Sequence, residues 1–205
     1  MLSFLRDTLA AMTELDGPLL ASLRKLVLRP GSLSVDFVQG RWATIVHPAK
    51  LFVAVALLAL LPRAVVQNDL ELGGFVYILT AGVASAVGHE WAQALVLLVA
   101  APIMALALAV LYRRQKRRFF EHLVVTTEFF TLVLLVGTVE TAVVILAGGG
   151  EAQLYAAIGA LGTLVLAGGA TLRRFYGASL VEAAVGVVYL GACAACGLIF
   201  SVDFF

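Results

Sequence analysis

Glu121, His122, Glu128, Glu140 and Glu182 sit inside or at the rim of long apolar stretches. An unpaired charge in such a setting is expensive, so each of these groups is a candidate for function. Glu128 lies about two turns from one end of its stretch and Glu140 a similar distance from the other. Thr126, Thr127 and Thr131 flank the first carboxyl, and Thr138 and Thr141 the second. Two carboxylates and several hydroxyls on one helix could line a proton or cation path. The plainer reading is that protonated Glu and Thr join helices by hydrogen bonds. Glu121 and Glu128 stand at i and i+7, on nearly the same helical face. Glu121 also follows Arg117 and Arg118 closely, which suits a solvated ion pair. Ser179-x-x-Glu182 ahead of an apolar run has the spacing of a capping box, a structural device rather than a catalytic one.

The three histidines, His47, His89 and His122, have no metal-motif spacing. His47 and His122 both fall at ends of apolar stretches that would lie on one side of a membrane, and such a pair could ligate haem or a metal. Histidines at a membrane interface also arise without that role, and no metal or cofactor is expected. Cys193-Ala-Ala-Cys196 is formally a C-x-x-C, but among Ala and Gly in an apolar helix its cysteines read as small packing residues. The chain contains no Gly-rich phosphate loop and no Ser/His/Asp arrangement.

The elements that must position these groups are membrane helices. The 205-residue chain is 62% hydrophobic and 13% charged, too few charges to cover a soluble surface. Its mean hydropathy is +1.03. A hydrocarbon core about 30 Å thick needs roughly 20 apolar residues per helix. Stretches 91–112, 122–147, 152–172 and 179–202 meet that need, and 48–66 is a fifth, interrupted at its far end by Pro62 and Arg63. The expected fold is all-α: a polytopic transmembrane bundle over 48–205 with about five spans, preceded by an amphipathic cytoplasmic region, 1–47. Basic residues stay in short loops on the side that is not translocated. Five spans place all but one of the 14 Lys and Arg residues on one side, with Arg63 the exception. The predicted topology is multi-pass in a bacterial inner membrane, N-terminus cytoplasmic and C-terminus outside, with no cleavable signal peptide. Segment 73–88 is read as interfacial or re-entrant, because a span there would put the basic 113–118 cluster on the opposite side.

Within 1–47, Leu2, Phe4, Leu5, Leu9 and Met12 recur at roughly helical spacing, as in a helix lying on a membrane. A second helix is expected over 18–29, stopped by Arg29-Pro30-Gly31, and a third segment over 32–40, ending at Gly40-Arg41-Trp42. Pro48 opens the first span. The last two spans are rich in Gly and Ala, and Gly191-xxx-Ala195 has the spacing of a close helix-packing seam.

Two stretches carry a family resemblance. Leu15-Asp16-Gly17 through Leu28-Arg29-Pro30-Gly31, Gly40-Arg41, His47-Pro48 and Leu51-Phe52 form the first. Arg117-Arg118-Phe119-Phe120-Glu121-His122-Leu123-Val124 forms the second. Together they resemble a bacterial membrane-protein family catalogued as domain of unknown function thirty-six sixty-seven, over about a third of the chain. The resemblance implies a short helix ending in an R-P-G turn, then a Pro-led first span, and it singles out Arg29, Pro30, Gly31, Arg41, Pro48, Glu121 and His122. The zinc-ribbon cysteines that open many members are absent, as are the further histidines that often follow E-H-L-V. The family supplies no reaction.

These residues lead to three expectations. The foremost is a non-enzymatic integral membrane protein, an accessory or scaffold subunit whose partners are membrane lipids and other membrane-protein subunits, without nucleic acid. The second is a small proton- or cation-linked transporter using Glu128 and Glu140. The third is a membrane enzyme or haem protein centred on His47, Glu121 and His122.

Overall fold

The computed structural model describes residues 16–41, 45–65, 89–147 and 151–189. Among them every regular element is helical. We label the helices α1 (Asp16–Leu28), α2 (Ser32–Val38), α3 (Pro48–Val65), α4 (His89–Leu111), α5 (Phe119–Ala147), α6 (Glu151–Tyr176) and α7 (Leu180–Tyr189), with a 3-10 turn over Arg113–Gln115. The expected helix near Leu2–Met12, segment 73–88, Cys193, Cys196 and the Gly191–Ala195 seam lie outside the described residues.

The organising element is α5. Its apolar residues are spread around the whole circumference, and a helix of that kind must be covered on every side. It packs against α3, α4 and α6 in turn, and Val124, Phe130, Leu132, Val133 and Leu134 are buried among them. Helix α6 presents Ala160, Leu164, Ala167, Thr171, Leu172 and Phe175 inward at helical spacing. A neighbouring face is also apolar: Leu154, Ile158 and Leu161 stay exposed at i, i+4 and i+7, and Leu166, further round, is exposed by 77%.

Two helices, α5 and α6, are long and apolar enough to cross a membrane. Buried positions make up 39% of the most apolar window of α5 and 28% of that of α6. In α3, Pro62 falls inside the last turn rather than ending the helix, which runs three residues further to Val65. The helical starts also reach slightly beyond the apolar runs: α4 includes His89 and Glu90, and α5 includes Phe119 and Phe120. Polar or aromatic flanks extend each helix past its apolar run.

The N-terminal helices lie across one end of this assembly. Pro30 has no N–H with which to continue α1, and Gly31 turns the chain with φ 82°. An alanine Cβ at Gly31 would come within 2.8 Å of the Thr171 Cα, so the turn sits directly against the α6 backbone. Helix α2 ends through Gly40, φ 75°, where the Arg41 N–H donates to the Asp36 carbonyl at 2.9 Å in a Schellman-type closure. The buried Ser22 hydroxyl of α1 accepts the Val46 N–H at 2.9 Å, tying α1 to the start of α3.

Candidate functional site

A buried carboxylate is the centre of a polar constellation that joins three helices. Glu128, 3% exposed, projects from α5 into the first turn of α2. Its Oε1 accepts the Gly31 N–H at 2.8 Å and its Oε2 accepts the Ser34 N–H at 2.7 Å. The Ser34 hydroxyl donates to the same Oε2. The local sequence explains why the acceptor has to come from so far away. A helix begins with orphan N–H groups that a Ser, Thr, Asp or Asn cap normally satisfies. Helix α2 has glycine at its N-cap, no side-chain cap and no acid in its first turn. Glu128, 97 residues from Gly31, supplies the missing acceptor at the helix end where negative charge is favoured.

The same turn is held from α6. Arg174 Nη1 donates to the Pro30 carbonyl at 2.7 Å. Arg29 is exposed beside it. Asp36, on the outer side of α2, pairs with Lys25 at 2.9 Å and with the Arg41 guanidinium, whose Nε also lies 2.9 Å from it. Burial alone would push the Asp36 carboxyl up. The hydrogen bonds and charges of Lys25 and Arg41 outweigh that and hold it below its ordinary value of 3.8.

The remaining groups occupy other settings. His47 caps α3: its Nδ1 accepts the Ala49 N–H at 3.2 Å, with Pro48 at the first helical position. Its ring stands edge-on to Phe37 at 4.9 Å. His122 is 1% exposed, and its Nδ1 lies 2.6 Å from the Tyr176 hydroxyl. Tyr176 stacks on Tyr112 with 4.0 Å between ring centroids. His47 and His122 therefore each have one ring nitrogen committed to a local partner. Glu121 pairs with Arg117 at 3.1 Å, an i,i+4 contact, and the Arg117 guanidinium lies 4.3 Å over the Phe175 ring. Glu182 and Ser179 form a reciprocal capping box: the Ser179 N–H donates to Glu182 Oε2 at 2.8 Å, and the Glu182 N–H to Ser179 Oγ at 3.2 Å.

Glu140 is buried within α5. The threonine hydroxyls near both carboxyls turn back to their own helix. Thr127 bonds to the Leu123 carbonyl at 2.8 Å, Thr131 to Thr127 at 2.7 Å, Thr138 to Leu134 at 2.7 Å and Thr141 to Gly137 at 2.8 Å. Among the described residues no group of three or more His, Cys, Asp or Glu converges as metal ligands would.

Sequence reasoning singled out Glu128, Gly31 and Pro30 separately. The structure brings them together with Ser34 and Arg174. Ser34 was missed; the signal for it was the absent cap of α2. Tyr112 and Tyr176 carry no comparable signal, because an aromatic residue at the end of an apolar helix is ordinary.

With this geometry in view, the comparison with known families has a physical reading. A family model described as a protein of unknown function (DUF3667) matches residues 16–60, about a quarter of the chain. The matched segment contains the R-P-G turn, Ser34, Asp36, Arg41, His47 and Pro48. It is the part of the chain that closes over Glu128, while Glu128 itself lies beyond it. No curated protein and no solved structure matches the chain.

Proposed function

We propose that this chain is a multi-pass protein of a bacterial inner membrane and acts as a non-enzymatic accessory or scaffold subunit. In this reading α3, α4, α5 and α6 are spans, the run 179–202 is the fifth, and 1–47 forms a cytoplasmic platform. The observation that carries the proposal is the doubly apolar character of α6. One face packs on α5, and another exposes Leu154, Ile158, Leu161 and Leu166. A soluble protein would not leave so much contiguous apolar surface uncovered, whereas lipid or a neighbouring membrane helix covers it without cost.

The polar groups favour a structural role. The Glu128 oxygens accept from the chain's own turn, which weighs against their holding a transported cation. The Thr hydroxyls are engaged by helix carbonyls rather than aligned along a path. What these bonds achieve is a docking of the turn before α2 on α5 and α6, an arrangement suited to presenting a fixed surface.

Purification from native membranes in mild detergent tests the proposal. Stoichiometric membrane-protein partners are the expected result. A lone monomer in every detergent and at every salt concentration overturns the subunit role.

A further inference from the structure

Three segments distant in sequence bring exposed cations to one end of the molecule. The Gln115 side-chain amide donates to the Tyr176 carbonyl at 2.6 Å, and Arg117 Nη2 donates to the Phe175 carbonyl at 2.8 Å. These bonds hold the 113–118 loop against the end of α6, next to Arg173 and Arg174. Arg174 in turn holds Pro30, and so brings Arg29 to the same place. Arg24, Arg29, Arg113, Arg114, Arg173 and Arg174 are all exposed.

The nearby carboxylates are committed elsewhere. Glu121 is paired with Arg117, Asp36 with Lys25 and Arg41, and Glu128 lies buried under Gly31 and Ser34. Glu182 is occupied by Ser179. Like charges gathered in this way repel unless an anion lies among them.

The apolar surroundings define what kind of anion fits. On α1, Leu20, Arg24, Val27 and Leu28 lie at i, i+4, i+7 and i+8, so the outward face of this helix is apolar as well as cationic. Leu20 and Leu28 are exposed by 68% and 65%. Phe119 and Phe120 stand exposed immediately after the basic loop. A soluble polyanion would satisfy the guanidinium groups and leave these side chains in water. A phospholipid carries both an anionic phosphate and acyl chains, and satisfies both sets. We propose that the face formed by Arg24, Arg29, Arg173, Arg174 and the 113–118 loop binds the headgroups of anionic phospholipids, with α1 lying at the headgroup boundary. This inference rests on the membrane reading above and names the partner of its cytoplasmic end.

The test is the lipid selectivity of the intact chain in bilayer nanodiscs. It is read from the motionally restricted spin-resonance signal of spin-labelled phosphatidylglycerol against phosphatidylcholine. We expect phosphatidylglycerol to associate ~3–10-fold more strongly at low salt, and the preference to fade by about 0.5 M NaCl as charges are screened. The combined substitutions Arg24→Gln, Arg29→Gln, Arg113→Gln, Arg114→Gln and Arg173→Gln should abolish the preference, while lysine at the same positions keeps it. Arg117 and Arg174 remain unchanged, because they hold the loop and the turn in place. Equal association of the unaltered chain with both lipids overturns the inference and leaves the membrane reading standing. A chain that does not enter the discs overturns both. Loss of the preference on adding inorganic phosphate, at an ionic strength matched with chloride, assigns the site to free phosphate and overturns the lipid; so does displacement by polyglutamate, which assigns it to an acidic protein.

Discussion

A carboxylate among apolar helices persists only where its acceptor capacity is used, and Glu128 uses both oxygens on donors that the turn before α2 would otherwise leave unsatisfied. The dependence is mutual. Glu128→Ala removes the acceptor for two buried N–H groups and one hydroxyl, and should cost about 2–5 kcal/mol of stability. Glu128→Gln keeps one acceptor and should cost less. Unfolding in mild detergent, followed with proteolysis at 29–34, measures both; an alanine variant as stable as the parent would refute the bridging role. Asp36 adds a pH dependence. Its carboxyl lies lower in the folded chain than in the unfolded one, so its contribution is complete above the ordinary value of 3.8 and is lost as pH falls through the folded value. Acid should therefore loosen the α1–α2 platform, and Asp36→Asn should flatten that part of the stability profile. The check is a pair of unfolding curves taken over about pH 2–5, which reaches below the reference carboxylate pKa of about 3.9.

At the scale of elements, glycine positions separate packed seams from open faces. A Cβ at Gly186 of α7 would meet Leu172 Cδ1 at 2.7 Å and the Tyr112 hydroxyl at 3.0 Å. Gly186→Ala should destabilise the contact of α7 with α4 and α6 by about 1–3 kcal/mol, as overpacking does. Gly159 and Gly162 of α6 have nothing within 4 Å. Alanine at these two positions should be neutral, or stabilising by about 0.5–1 kcal/mol through helix propensity. Thermal unfolding of the isolated chain distinguishes the two classes. If Gly159→Ala or Gly162→Ala is neutral in the isolated chain but prevents co-purification of a partner, the open face of α6 is where that partner packs. Helix α5 explains why these differences arise. It is covered by three neighbours, whereas α6 and α7 are covered on one side only.

For the whole molecule, charge asymmetry and helix order yield one topological expectation. Single cysteines introduced at Lys116 and Arg173, with Cys193 and Cys196 replaced by alanine, should react with impermeant reagents only from the cytoplasmic side. A cysteine at Glu151 should react only from the opposite side. Labelling of all three from one side would overturn the five-span arrangement.

The helices themselves were legible because a long apolar run with polar flanks has few other stable forms. The runs 48–66, 91–112, 122–147 and 152–172 correspond to α3, α4, α5 and α6 within a few residues. The Ser179–Glu182 capping box and the Arg117–Glu121 pair were legible for a related reason: both partners lie within one turn, where helical geometry alone brings them together. The stop at Arg29-Pro30-Gly31 follows from the missing proline N–H and the freedom of glycine, and needs no neighbour.

What only the tertiary structure decided is which distant groups meet. Nothing in the spacing of Gly31, Ser34 and Glu128 joins them, because the 94 and 97 residues between partners impose no geometry. Their meeting depends on how α5 packs under α2 and on how closely Gly31 approaches Thr171. Periodicity and charge, as local properties, determined the helices of the described residues and the basic clusters between them. Long-range packing alone made Glu128 the acceptor that joins α5 to the turn before α2.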